Sequence, residues 1–226
     1  MPDINKILKD KLEELGVGEY GFANVVNTKD YLYTNLPFAI SIVVKLSDEI
    51  IDAISNQPTF MYFHHYRTVN AFIDQVGLQI SMLLEKHGYS AMPIAASQSI
   101  PDAKMPYSGA FSHKTTACAA GLGSIGKSAL FLSHQHGPRV RLGTILTNAP
   151  LQTNHAEYKD VCKDCTLCTN ACPAMAITGK SYTLDSRRED LFDAAACSSY
   201  MKNNFQHIGR GVVCGICVKV CPLSKK

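Results

Sequence analysis

Eight of the nine cysteines in this 226-residue chain lie between Cys162 and Cys221. The first four read Cys162-x2-Cys165-x2-Cys168-x3-Cys172-Pro173. That spacing serves a [4Fe–4S] cluster. Two-residue gaps let a tight loop aim three thiolates at three corners of one cube, and the fourth cysteine, three residues on, points elsewhere. Proline after it closes the loop without needing a backbone donor. An altered copy follows, Cys214-x2-Cys217-x3-Cys221-Pro222, with its leading cysteine missing. Cys197 is the spare, separated from Cys214 by 16 residues. The expected allocation is Cys162, Cys165, Cys168 and Cys221 for one cluster, and Cys172, Cys197, Cys214 and Cys217 for the other. Structural zinc is the competing use of Cys-x2-Cys pairs, but it does not account for two CxxxCP endings.

The charge distribution fits two clusters. Residues 1–150 carry 12 basic and 12 acidic side chains, so the whole +3 excess sits with the cysteines. An oxidised cluster with four thiolates carries about −2, so two of them offset the excess and leave the loaded chain near neutral. The basic residues of the tail then compensate cluster charge and do not form a nucleic-acid footprint. No apolar run reaches the roughly 18 residues a membrane helix needs. The N-terminus is a charged amphipathic pattern without a signal peptide or twin arginines, so a cytoplasmic location is expected. Eight thiols in such a chain argue for metal over disulfides.

The elements that must position these residues can be read from periodicity. Residues 3–15 predict a helix with Ile4, Ile7, Leu8, Leu12 and Leu15 on one face, stopped by Gly16 and Gly18. Tyr20–Val26, Phe38–Leu46 and Tyr89–Ala95 predict strands. Thr59–His87 predicts one long or broken helix closed by Gly88, and His113–Ala120 a short alanine-rich helix entering Gly121. Ser128–Ser133 and Val140–Thr147 predict a hairpin across His136-Gly137. The fold class is α+β: an α/β domain over 1–152, then a ferredoxin-like domain over 153–226 with two [4Fe–4S] clusters.

Gly121-Leu-Gly123-Ser-Ile-Gly126-Lys127 matches GxGxxG in form only. The dinucleotide motif follows a strand and opens a helix; this one follows a helix and leads into a strand. It reads as a turn that lets backbone approach a large flat cofactor, or simply as a tight turn.

The run HKTTACAAGLGSIGKSALFLSHQHGPRVRLGTILTNAPL (113–151), followed by two ferredoxin-like motifs with one displaced cysteine, resembles the epoxyqueuosine reductase family, itself related to the corrinoid reductive dehalogenases. The resemblance spans residues 60–226. It implies a nitroreductase-like cobalamin-binding domain whose corrin lies against a two-cluster ferredoxin domain, with the clusters feeding electrons to cobalt. Epoxyqueuosine reductases carry a C-terminal helical-repeat region that helps hold tRNA; this chain ends five residues after Cys221, so tRNA is not expected as a partner. The family's proton-donor aspartate, in a segment resembling FVDSAP, falls on Tyr107 of MPYSGA, while Asp102 does not align. The dehalogenases use a tyrosine acid, which makes Tyr107 the candidate catalytic donor.

The cofactor-binding expectations are Tyr66, Arg67 and Asn70 at helical spacing, with Tyr62 and Phe63 beside them; His113 and Lys114 ahead of the glycines; Gly121, Gly123, Ser124, Gly126 and Lys127 of the glycine motif; and Arg139 and Arg141 on a strand. A plain core helix and a solvated arginine face are the structural alternatives. His64 and His65 read as surface or capping residues, His134 or His136 as a possible axial cobalt ligand, and Cys118 as a small buried residue. Three functions follow: a cobalamin-dependent reductase of a small molecule or modified nucleoside, fed by ferredoxin or flavodoxin; an electron-transfer protein that reduces a partner such as a corrinoid protein; or a flavin-dependent reductase.

Overall fold

The computed structural model describes residues 3–28, 35–100, 106–153, 158–211 and 213–224. Asp102 lies outside them. The chain divides into two compact units, each discontinuous in sequence: one of residues 1–44, 69–122 and 141–157, the other of 45–68, 123–140 and 158–226. The cysteine segment falls whole within the second unit, which also takes in two segments from the first 150 residues.

The first unit is built on a four-stranded sheet of β1 (Glu19–Asn24), β2 (Phe38–Lys45), β6 (Val140–Thr147) and β3 (Ala91–Ile94), in that order; β1 pairs antiparallel with β2, and β3 with β6. Side chains alternate with the period of two expected of strands. Phe22, Ile40, Ile42 and Ile145 face one core with Ile4, Leu8 and Leu12 of α1 (Ile4–Glu14) and Val76, Ile80 and Leu84 of α3 (Phe60–Lys86). Ala23, Ala39 and Leu146 face the other with Ala120 and Phe111. Small residues on that second face let α4 (His113–Ala119) come close: a Cβ at Gly21 would lie 3.0 Å from Ala120 Cβ. Asp3 caps α1 by accepting from Asn5 N–H, and Ser112 caps α4 by accepting from Thr115 N–H. Gly16 and Gly88 end their helices at φ 80° and 85°, as expected.

The expected hairpin between 128–133 and 140–147 does not form. β5 (Phe131–Ser133) pairs instead with β4 (Gly123–Ile125). The reason is local. Gly126 N–H bonds Leu130 O, Ala129 N–H bonds Gly126 O, and Ala129 takes φ 56°, so the chain reverses at 126–130. Ser133 and Gly137 exchange one bridge only. The chain then leads into Arg139, whose guanidinium is buried. β4 and β5 must touch closely: a Cβ at Gly123 would stand 2.1 Å from Leu132 O. Gly123→Ala is therefore expected to cost about 3 kcal/mol through backbone overpacking, lowering the melting temperature by about 6–12 °C in a thermal scan.

In the second unit, α2 (Asp48–Asp52) packs on α8 (Ile216–Lys219), which also packs on α5 (Leu167–Ala171). α6 (Arg188–Leu191) and α7 (Ala194–Phe205) complete it. Charge ties these pieces together. Arg139 donates to Asp48 at 3.0 Å and Asp52 at 2.7 Å, and Lys219 of α8 donates to the same Asp52 at 2.8 Å. Hydrogen bonds from Arg139, then Lys219, hold the Asp52 carboxyl well below the usual carboxylate range. Its contribution to stability is thus complete above the ordinary carboxylate pKa and is lost as pH falls below it. Asp52→Asn is expected to lower the denaturation midpoint by a constant amount between pH 7 and about 5, a gap that closes below about pH 4.

Among the described residues no helix is long and apolar enough to cross a membrane.

Candidate cluster and cofactor site

All nine cysteines are free and half-buried. Those of the tail fall into two groups of four. Cys221 has Cys162, Cys168 and Cys165 as charge neighbours, and Cys168 has Cys162 and Cys165. Cys197 has Cys214 and Cys172, and Cys217 has Cys214, Cys197, Cys172 and last Cys168. The second group also lines one cavity: Cys172, Cys197, Cys214 and Cys217 stand around it with Ile177, Phe192, Tyr200 and Ile216 as apolar walls. Burial pushes the thiols of Cys197 and Cys221 up to about 11, with the neighbouring thiols adding to it. Burial raises the Cys197, Cys214 and Cys217 thiols, and metal binding would release their protons. A single zinc would need four donors converging on one point. Among the described residues no three His, Cys, Asp or Glu side chains form such a single-ion group.

Short elements bring the thiols together. Cys168 lies on α5, Cys197 on α7 and Cys217 on α8. Gly215 at φ 77° starts α8, where a Cβ would lie 2.6 Å from the Tyr62 ring. Backbone amides reach the sulfurs: Lys127 N–H to Cys162 Sγ at 3.5 Å and Ala176 N–H to Cys172 Sγ at 3.4 Å. Such bonds tune cluster potential. The donor set, its burial and its amide bonds fit two [4Fe–4S] clusters. Cys118 is a different thiol, pushed up by burial to about 12.

Several residues expected at a large cofactor make bonds within the chain. His113 spends both ring nitrogens, on Thr144 Oγ1 at 2.9 Å and Ala95 O at 3.1 Å, and burial lowers its pKa, which keeps the ring neutral. Arg139 is 1% exposed and ion-paired with the α2 aspartates. The space that Gly123 and Gly126 leave is filled by Phe131, Leu132 and Cys162. Ser124 is buried in β4, and Lys127 is turned to the cysteine loop. Gly121 ends α4 at φ 76°, as a turn glycine. Asn70 and Arg141 are brought together, with Arg141 Nε donating to Asn70 Oδ1 at 2.8 Å. Arg67 lies 5.4 Å from the Phe63 ring centroid, and Tyr66 packs edge-on to Tyr62. His65 accepts the Ser47 N–H at 3.0 Å, a capping role. His134 is exposed and His136 half-buried.

Tyr107 is 44% exposed and holds φ 63°, a conformation rare for a bulky residue. Strain of this kind concentrates at functional sites. Lys114 is half-buried on α4. The described cleft of the first unit, lined by Ile42, Ile73, Asp74 and Thr144, holds about 230 Å³, below the 300–1,000 Å³ usual for an enclosed drug-sized ligand.

Sequence reasoning missed the partners of Arg139, the reach of Lys127 into the cysteine loop and the recruitment of residues 45–68 to the cysteine unit. Only the first had a local signal, the i,i+4 pair Asp48 and Asp52 on one helix face.

The architecture is a mixed α+β fold with a cysteine-rich tail whose thiols form two groups of four. Residues 161–224 match the 4Fe-4S double cluster binding domain, which supports two clusters. The chain is 26% identical over 200 residues to tetrachloroethene reductive dehalogenase of Desulfitobacterium hafniense, covering 82% of this chain and 33% of that one. It is 32% identical over 151 residues to epoxyqueuosine reductase of Synechocystis sp., covering 60% and 48%. Among solved structures, the catabolic reductive dehalogenase NpRdhA superposes with a TM-score of 0.72 at 18% identity, over 97% of this chain and 31% of that chain. Epoxyqueuosine reductase from Streptococcus thermophilus gives 0.62 at 19%, over 99% and 66%. The chain thus spans a third to a half of the length of these sequence relatives and shares the fold of both kinds of enzyme.

Proposed function

We propose that this chain is an iron–sulfur, cobalamin-dependent reductase in which two [4Fe–4S] clusters pass electrons to a bound corrin. The observation that carries the reading is the sorting of eight thiols into two groups of four, Cys162, Cys165, Cys168 and Cys221, and Cys172, Cys197, Cys214 and Cys217. One neighbour of the same fold, at a TM-score of 0.72, is described as a B12-dependent dehalogenase, which supports a corrin as the electron acceptor. When bound, the corrin supplies a low-potential, nucleophilic cobalt centre. Tyr107 donates the proton to substrate from its phenol. Lys114 and the Arg141–Asn70 pair offer donors to amide or phosphate groups.

The substrate class is a small molecule or modified nucleoside. A tRNA-bound structure exists for an epoxyqueuosine reductase, but the near-neutral charge of the loaded chain disfavours tRNA here. A reduced ferredoxin or flavodoxin in the cytoplasm is the donor we assign. Anaerobic absorption spectra of the loaded protein, titrated with cobalamin, test the corrin half. A saturable spectral change at one equivalent supports it, and an unchanged sum spectrum refutes it.

The commitment of His113, Arg139, Gly123 and Gly126 to the chain itself favours a second reading, an electron-transfer protein that reduces a separate partner. It requires eight irons without cobalamin or flavin binding.

A further inference from the structure

Lys127 closes the glycine motif, yet its charge serves the cysteine loop. The residue is 8% exposed. Its Nζ donates to the carbonyl oxygens of Lys163 and of Cys165, the latter at 3.4 Å, while its backbone N–H faces Cys162 Sγ at 3.5 Å. Lys163 holds φ 45°, left-handed backbone that side chains rarely adopt, and its carbonyl is one of those the ammonium binds. Gly126 makes the approach possible, since a Cβ there would stand 3.1 Å from Cys162 Sγ. Asp160 takes the opposite part: its Oδ1 accepts from Cys162 N–H at 2.9 Å and Lys163 N–H at 3.4 Å, and Lys127 is among its charge neighbours.

We propose that Lys127 is an electrostatic positioning residue for the cluster held by Cys162, Cys165, Cys168 and Cys221, and that it raises this cluster's reduction potential above that of the other. This rests on the two-cluster part of the reading above and not on the corrin. Reduction adds one negative charge to a cluster. A buried ammonium on its loop stabilises the reduced form, and burial keeps salt from screening it. The second group faces apolar walls, Ile177, Phe192, Tyr200 and Ile216, which disfavour added charge. Electrons therefore run downhill from the Cys172, Cys197, Cys214, Cys217 cluster to the Cys162 cluster. Lys127 gives the tail a direction.

The test is an EPR-monitored redox titration of anaerobic protein carrying both clusters. Lys127→Gln keeps an amide donor and removes the charge. One of the two midpoints should fall, so that at a fixed poise its reduced-to-oxidised ratio drops about tenfold, equivalent to about 59 mV for one electron. The other midpoint should hold within about twofold in the same ratio. Lys127→Arg should restore the first, and Asp160→Asn should move that same midpoint upward. The proposal is overturned if Lys127→Gln leaves both midpoints in place or shifts both alike, or if Lys127→Arg shifts as far as Lys127→Gln. If Lys127→Gln fails to hold both clusters, Asp160→Asn decides: a rise in one midpoint supports the proposal and no movement overturns it. Absence of iron from the unsubstituted protein would instead strike the parent reading.

Discussion

Cys197→Ala is expected to halve the iron of the anaerobic protein, from about eight to about four atoms per chain, and to abolish electron transfer through the tail. The expectation follows from position. Cys197 lies on α7, away from the consecutive motif that starts at Cys214, and no periodicity assigns it. Yet its charge neighbours are Cys214 and Cys172, and it lines the cavity they share with Cys217. Removing it leaves three thiols on a four-iron body in an apolar space, where water is a poor substitute ligand. The four thiols of the Cys162 group are untouched, so one cluster's EPR signal should survive. Cys221→Ala should lose the complementary signal. Cys118→Ala should lose none, because Cys118 lies on α4, outside both groups of four. Loss of both signals from Cys197→Ala, or of neither, would break the allocation.

The second large effect is expected at Tyr107. Tyr107→Phe removes one hydroxyl from a half-exposed side chain on unusual backbone, φ 63°. If the phenol donates the proton, turnover should fall by about 10²–10⁴. Iron content and cobalamin affinity should not change, because the ring and its backbone remain. A drop in cobalamin affinity without a drop in turnover at saturation would make Tyr107 a packing contact and not an acid.

What the sequence made legible follows from which physics is local. The helix of Ile4, Leu8 and Leu12, the strand AISIVVK and the long helix to Lys86 are written in periodicity, and the structure has them within about two residues. The cysteine spacing is local too. Strand partnership is not. Phe131–Ser133 found β4 because a tight turn at Gly126 closes within five residues, whereas the His136-Gly137 turn, the better hairpin signal by residue type, leads into a buried arginine. The i,i+4 pair Asp48 and Asp52 marks a carboxylate face, but the order of residues does not say that Arg139, 91 and 87 positions away, will meet it. The same holds for the hydrogen bonds of Lys127 to the carbonyls of Lys163 and Cys165, 36 and 38 positions away. Side-chain type told which residues could do chemistry, and only tertiary contacts told which were already occupied.

The central claim is that a two-cluster tail reduces a corrin held by the same chain. Its most direct test is joint analysis of iron, sulfide, cobalt and flavin in anaerobic protein purified after exposure to cobalamin. The account predicts about eight irons and eight sulfides, from the matched double-cluster domain, with about one cobalt and no flavin per chain. Eight irons with no retained cobalt, or with stoichiometric flavin in its place, would contradict it.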